Sequence, residues 1–427
     1  MKNRIFMLII CLALVSSGNA ARLMNENPLI ISTTEDLVAF AKSVNGGDSF
    51  RGKTVKLSAD IWLNDTIGWK KWDRQTKLKS WTPIGTSQIP FEGTFDGDGH
   101  YIAGLFMKAG SETFCQGLFG FLRRAVVKNT RICFSHIIAY NYVGALAGHI
   151  SFNTQILNCS NESIVENDRN FSGGLIGFSS GQNRIIGCRN YGRVYGHRCV
   201  GGIVGYFEGG SIYNSFNRGD IVGRYEHVGG IIGEFSEPYQ KSVKDTELKE
   251  LPNDTVANCY NTGTIMARDV AGGIAGHINL HSIQVSTWKV VFANNYSAGK
   301  IHTIYPVVTD GLVGVYAYFA DPDNLIIPSV DRINRDGAAC YWSEESCKMN
   351  TLRKPRFEGN KLRTDSWNKI MYGTMKIPDS FRYFSADEMK QQSFVDLLNK
   401  WVDKKEVFSR WSLDKKNVNS GFPVFIN

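Results

Sequence analysis

GGLIG (173–177), GGIVG (201–205) and GGIIG (229–233) place Leu175, Ile203 and Ile231 at intervals of 28 residues. The same core recurs on both sides as GLFG (117–120), GALAG (144–148), GGIAG (272–276) and GLVG (311–314). Measured at the aliphatic residue after the first glycines, the full set of intervals is 28, 29, 28, 28, 43 and 38. The two long intervals carry insertions, one of them the charged stretch SEPYQKSVKDTELKELPND (236–254). A second element follows each core at a similar offset: NCSNESIV (158–165), GCRNYGRV (187–194), NSFNRGDI (214–221), NCYNTGTI (258–265) and NNYSAGKI (294–301).

Repeats of 20–50 residues are units that cannot bury their own apolar face and must stack. Each unit here holds two or three short β-type runs between Gly and Asn turns, with no room for a helix. About 28 residues suits one turn of a parallel β-helix, whereas a propeller blade needs four strands and about 40 residues or more. The expected fold is therefore all-β dominated: a parallel β-helix or solenoid of ~28-residue coils, with an N-terminal capping helix and a C-terminal α+β cap.

Stacking the units turns positions into columns. Leu118, Leu146, Leu175, Ile203, Ile231, Ile274 and Leu312 form an always-aliphatic column that must point inward, at about 1.5–3 kcal/mol per buried side chain. Cys159, Cys188, Ser215, Cys259 and Asn295 form a column of small residues. Coils about 4.8 Å apart bring these cysteines within disulfide reach, but parallel Cβ vectors favour buried thiols. Asn161, Asn190, Asn217 and Asn261 form a third column, suited to an amide ladder.

At the cores GLFG (117–120) and GLIG (174–177), the chain resembles the GLUG-repeat family of exported bacterial proteins. WTPIGTSQIPFEGTFDGDGHYIAGL (81–105) resembles the opening of such domains, and WSLDKKNVNSGFPVF (411–425) resembles their close. The resemblance implies a surface or adhesion-type β-solenoid. Similar segments accompany the zinc-protease domain of immunoglobulin-A-cleaving proteases; this chain has no H-E-x-x-H, so the resemblance does not imply that activity.

The first residues read as an export signal. A basic start (Met1–Arg4), an apolar run IFMLIICLALV (5–15) and small residues before Ala20 and Ala21 fit a cleaved leader. The organisation expected is a signal peptide over 1–20, a capping helix and first coils over 21–115, repeats over 116–320, and a final coil with a cap over 321–427. No later run is long enough for a membrane helix, so the expected location is periplasmic, cell-surface or secreted. Of the net charge of +8, residues 348–427 contribute sixteen Lys/Arg against nine Asp/Glu. No nucleic-acid-binding motif accompanies that tail, and nucleic acid is not expected as a partner. Cys340 and Cys347 are spaced for a small disulfide loop.

Three local motifs suggest chemistry and are set aside by context. Gly47 to Thr54 matches G-x-x-x-x-G-K-[ST], but a phosphate loop follows a strand and opens a helix. Here STTEDLVAFAKSVN (32–45) reads as a helix capped by Ser32 or Thr33, and TVKLSADIWL (54–63) as a strand, so nucleotide is not expected. GFSSG (177–181) fits a nucleophile elbow at Ser179 but lies in a repeat core rather than an α/β turn. FDGDGH (95–100) reads as a turn with Gly97 and Gly99 at positive φ, since two carboxylates are few for calcium.

One column does not look like scaffold. The residue after each core's last glycine reads Phe121, His149, Phe178, Tyr206, Glu234, His277 and Val315. Its variable, aromatic and ionisable character predicts an outward ladder, with His149, Phe178, Tyr206, Glu234 and His277 as the candidate ligand-binding residues. The predicted function is a non-catalytic, adhesin-like module that binds a polysaccharide or a host or cell-surface protein, without cofactor or metal. The alternatives are a β-helix polysaccharide lyase or glycosidase using Asp220, Glu226, Glu208 or Glu234, and a structural stalk.

Overall fold

The computed structural model describes residues 27–73, 76–111, 113–236, 254–280, 290–304, 308–310, 313–318, 340–343, 371–372, 381–403 and 407–426. The leader, most of the 236–254 insertion and Cys347 lie outside these residues.

The repeat folds as a parallel β-solenoid of about seven turns. Three sheets form its faces, two of 15 strands and one of six, parallel except where Met371–Tyr372 joins Val313–Tyr318 antiparallel. One coil illustrates the rest. Arg198–Gly201 lies in the narrow sheet, Val204–Tyr213 in the first wide sheet, and Phe216–Asn217 and Ile221–Gly223 in the second. Successive coils pair in register, with Val200 on Val228, Val204 on Ile232, and Asn217 on Asn261. Leu118, Leu146, Leu175, Ile203, Ile231 and Ile274 are all buried in one continuous core.

The asparagine column is inside and bonded throughout. Asn161 Nδ2 donates to Asn190 Oδ1 at 2.8 Å, Asn190 to Asn217 at 2.7 Å, and Asn217 to Asn261 at 2.8 Å. The doublet glycines exist because of this ladder. A Cβ on Gly202 would sit 2.1 Å from Gly230 O and 2.6 Å from Asn217 Cγ, and one on Gly230 would meet Gly273 O and Asn261 in the same way. Cys159, Cys188 and Cys259 are buried free thiols. Each Sγ faces the carbonyl two residues earlier, at 3.3–3.6 Å. Burial pushes the Cys188 thiol up to about 12.

The N-terminal helix spans Thr34–Asn45 and carries a capping box between Thr33 and Asp36. It seals the first coils by burying Leu37, Phe40, Ala41 and Val44 in the main core. The loop after it holds no phosphate-loop geometry: Lys53 is tied to Asp48 at 2.9 Å, and a strand follows it. The strand expected over 54–63 is two, Thr54–Leu57 and Ile61–Trp62, because the chain turns a corner between them and enters the other wide sheet. In the 95–100 turn the positive φ angles fall on Asp98 and Gly99, not on Gly97. Gly97 is needed for close approach, since a Cβ there would lie 2.4 Å from Asn129 O. The two acids are held by Lys128 and Lys56.

The C-terminal helical region breaks in two, Ala386–Met389 and Gln392–Val402. It packs on the flank of the coils as a second core with Phe216, Tyr260 and Tyr296. A second asparagine column, Asn214, Asn258 and Asn294, holds it there. All three are left-handed, at φ 52–54°, a conformation that asparagine tolerates. Their amides donate to Val407 O, Ser409 O and Leu398 O at 2.8–3.2 Å. The Trp411 indole N–H donates to Asn258 at 2.7 Å.

Candidate functional site

The predicted ladder is one physical column. Backbone pairing sets Phe121 beside His149, His149 beside Phe178, Phe178 beside Tyr206, Tyr206 beside Glu234, Glu234 beside His277 and His277 beside Val315. The next residue of each strand, from Leu122 through Ile150, Phe207 and Phe235 to Ile278, is buried in the core, so the column lies on the outer side of the first wide sheet.

Its exposure differs from the expectation. Phe121, His149, Phe178 and Tyr206 are half-buried, and Glu234 and His277 are buried. The cover is a neighbouring column that the sequence reading did not single out: Cys115, Tyr142, Phe171, Cys199 and His227, all with left-handed backbones. The last glycine of each core makes room for it. A Cβ on Gly177 would lie 2.3 Å from Val143 N, and one on Gly233 would lie 2.4 Å from Cys199 C. The covering residues share a position, five or six before each core's closing glycine, but no residue type, so only the glycine was legible.

The two columns form two zones. In the first, Tyr142 and Phe171 stack nearly parallel at 5.1 Å. They lie against Phe178 at 5.3 and 5.6 Å. Along the column itself the rings step at 4.3, 4.5 and 5.4 Å from Phe121 through His149 and Phe178 to Tyr206. His149 Nε2 meets Ser180 Oγ of the next coil at 2.8 Å, and burial pushes the imidazole down to about 4. His149 is therefore a neutral, ring-like member of the aromatic ribbon at pH 7. Burial pushes the Tyr206 phenol up, so it too is neutral.

In the second zone the rings give way to ligand-type atoms. His227 Nδ1 lies 2.8 Å from Glu234 Oε2, and the Cys199 thiol donates to the same oxygen at 3.1 Å. Asn279 Nδ2 donates to Oε1 at 3.2 Å, and His277 Nδ1 lies 3.5 Å from that oxygen. The two imidazoles stack at 4.1 Å. Burial alone would raise the Glu234 carboxyl; the hydrogen bonds and charges of His227 and His277 outweigh it and hold the group well below the usual carboxylate range. Burial and the adjoining Glu234 hold the Cys199 thiol up.

Of the other candidate acids, Glu208 lies two residues beyond Tyr206 on the same strand, and the remaining two do not join this site. Glu226 pairs with Arg198, and Asp220 is exposed beside the second wide sheet, away from Glu208 and Glu234. Ser179 is buried inside Ile176–Ile186, where its hydroxyl accepts from Asn183 Nδ2 at 2.9 Å, and it forms no nucleophile elbow. A further aromatic surface escaped the sequence reading. Trp62 and Phe134 lie parallel at 6.4 Å, about half and one-third exposed, beside an open hollow lined by Trp62, Asn64, Asp65 and Lys79.

The chain is a parallel β-solenoid. No family model matches it. Halomucin from Haloquadratum walsbyi (strain DSM 16790 / HBSQ001) is 30% identical over 168 residues, which is 39% of this chain and 2% of that protein's length. A Bacteroides ovatus protein described as a candidate immunoglobulin A1 protease aligns over 93% of this chain and 92% of its own, at 16% identity and a TM-score of 0.44. A structure named IgA1 protease aligns over 74% of this chain and 21% of its own, at 13% identity and a TM-score of 0.32. The expectation that the chain is not an enzyme is corrected by these names, since both solved structures are named for a protease. At these identities and TM-scores, that name gives no residue of this chain a catalytic role. Among the described residues, no helix is long and apolar enough to cross a membrane.

Proposed function

We propose that the chain is an exported, adhesin-like β-solenoid of the GLUG-repeat type that holds a carbohydrate chain along the aromatic zone of its outer ladder. The observation that carries this reading is the run Phe121, His149, Phe178 and Tyr206, one ring per coil, backed by Tyr142 and Phe171. Rings spaced at 4.3–5.4 Å along a rigid axis offer repeating apolar faces to a repeating ligand. The backing column fixes their rotamers, so little side-chain entropy is lost on binding. Ser180 and Glu208, paired and half-buried two residues beyond Phe178 and Tyr206, supply polar partners for sugar hydroxyls. The leader-like first residues and the halomucin likeness over 168 residues support an extracellular setting.

The test is depletion of the purified chain from solution by insoluble polysaccharides and by host glycoproteins before and after deglycosylation. Retention on a glycan, lost on deglycosylation and lost in Phe178→Leu plus Tyr206→Leu, is the expected result. Retention that survives deglycosylation would make the ligand protein; no retention on any surface would remove the binding role from this face.

A further inference from the structure

The second zone of the ladder has a chemistry that glycan binding does not need. We propose that Cys199, His227 and Glu234 bind one Zn²⁺ ion on the outer face of the solenoid, leaving a fourth position for water. This goes beyond the glycan reading and is independent of it, and it replaces the expectation that the chain has no metal site.

Donor identity comes first. Cys199 Sγ, His227 Nδ1 and a Glu234 oxygen all lie within 4.8 Å of one another. Thiolate, imidazole and carboxylate are the donors of a borderline-soft, tetrahedral cation, and a sulfur ligand argues against calcium or magnesium. The charges close as well: one thiolate, one carboxylate and a neutral imidazole balance a divalent ion, so a nearly dry site holds no net charge.

Distances come second. Bond lengths for zinc imply donor–donor edges of about 3.6 Å for S···N, about 3.6 Å for S···O and about 3.4 Å for N···O around a tetrahedral ion. The structure has 3.8, 3.1 and 2.8 Å for the same three edges. Replacing the two hydrogen bonds to Glu234 Oε2 by metal bonds opens the triangle by about half an ångström, a shift within side-chain reach. On binding, the Cys199 thiol proton leaves to solvent, and His227 ligates as the neutral tautomer whose Nδ1 carries no proton.

Support around the ligands comes third. Glu234 Oε1 faces Asn279 and His277, which fix the carboxylate with its other oxygen free to ligate. The His277 ring stacks on His227 and fixes its plane. The ligands come from adjacent coils, so the ion would tie the turn holding Cys199 to the one holding His227 and Glu234. The left-handed backbone at Cys199 and His227 is shared with Cys115, Tyr142 and Phe171, and so belongs to the coil geometry rather than to the metal.

Alternative uses of the cluster fit less well. A Cys–His nucleophile pair with a third orienting group would engage both imidazole nitrogens, whereas thiol and carboxylate here face the same Nδ1. Cys199 is also only 5% exposed, with its thiol held neutral by burial.

The experiment uses the full chain, loaded with Zn²⁺ or Co²⁺ and dialysed, with metal content and absorption read together and folding followed by circular dichroism. One equivalent of metal and a thiolate-to-cobalt charge-transfer band are expected, both lost in Cys199→Ser and both kept in Cys115→Ser. Calorimetry in buffers of different ionisation enthalpy should show proton release on binding. His277→Gln, which leaves all three ligands in place, should weaken affinity about 10- to 100-fold; this decides the matter even if Cys199→Ser fails to fold. Wild-type chain that retains no metal, or a cobalt band that persists in folded Cys199→Ser, overturns the proposal.

Discussion

The inner asparagine ladder and the outer ladder are built by the same device, residues one coil apart brought into register, yet they differ in every other respect. Inside, Asn161, Asn190, Asn217 and Asn261 repeat one residue and close every amide on its neighbour or on a backbone carbonyl two residues on. Outside, no residue from Phe121 to His277 equals its immediate neighbour, and each makes a different contact. A solenoid copies what its interior demands, because any odd residue there leaves a partner unsatisfied on two coils. Its outer columns carry no such demand, so a position that stays in register while changing chemistry is where function can reside.

The comparison breaks most severely at the glycines. Gly202→Ala drives a methyl group to 2.1 Å from Gly230 O, a backbone atom fixed by its own strand. A loss of about 4 kcal/mol is expected in denaturant titration, because neither the carbonyl nor the adjoining Asn217 can retreat. Asn217→Ala follows. It removes the acceptor of Asn190 Nδ2 and the donor to Asn261 Oδ1, both fully buried. About 3 kcal/mol is expected, since burying unpaired polar groups costs more than losing one bond.

Acid separates the ladders in a second way. Nothing in the inner ladder titrates, whereas His149 has its imidazole lowered from 6.5 to about 4 by burial. The unfolded chain then binds a proton that the folded chain does not, so stability rises with pH across that window and falls as pH drops from about 6.5 toward about 4. A fully shielded shift of this size would correspond to about 3 kcal/mol; residual screening of the half-buried ring reduces this to about 1–2 kcal/mol. His149→Phe should flatten that part of the melting-temperature profile. The Glu234 carboxyl, held low, acts at lower pH: its contribution is present above the unfolded value near 4.5 and is lost as pH falls through the folded one.

How far the sequence went follows from the same contrast. The coil length, the inward aliphatic column, the buried thiols and the Asn ladder were legible because the interior repeats itself and repetition can be read off the chain. The outer column was legible in register, and all five candidate residues do fall on it. Its exposure was not, because the covering column has no constant residue: Cys115, Tyr142, Phe171, Cys199 and His227 share only a left-handed backbone. In cysteine, tyrosine and phenylalanine such a conformation leaves no mark in the sequence. The same blindness hid the Cys199–His227–Glu234 cluster, whose ligands are 28 and 7 residues apart and meet only after stacking. The C-terminal region was expected as a cap, and its placement on the flank turned on Asn214, Asn258 and Asn294, which read as ordinary turn residues.

The smallest effect on stability should be the largest on binding. Phe178 is half-buried among Tyr142, Phe171, His149 and Tyr206, so truncation to alanine would loosen the whole ribbon and confuse folding with recognition. Phe178→Leu keeps most of the apolar contact and removes the flat face. A ring on a partly solvated surface that is replaced by a branched aliphatic should cost less than about 1 kcal/mol, measured by thermal melts. If the ribbon serves only to cover the sheet, retention on glycan should change no more than stability does. If the rings present faces to sugar, retention should fall at least tenfold while the melt barely moves, because only the flat face has been taken away.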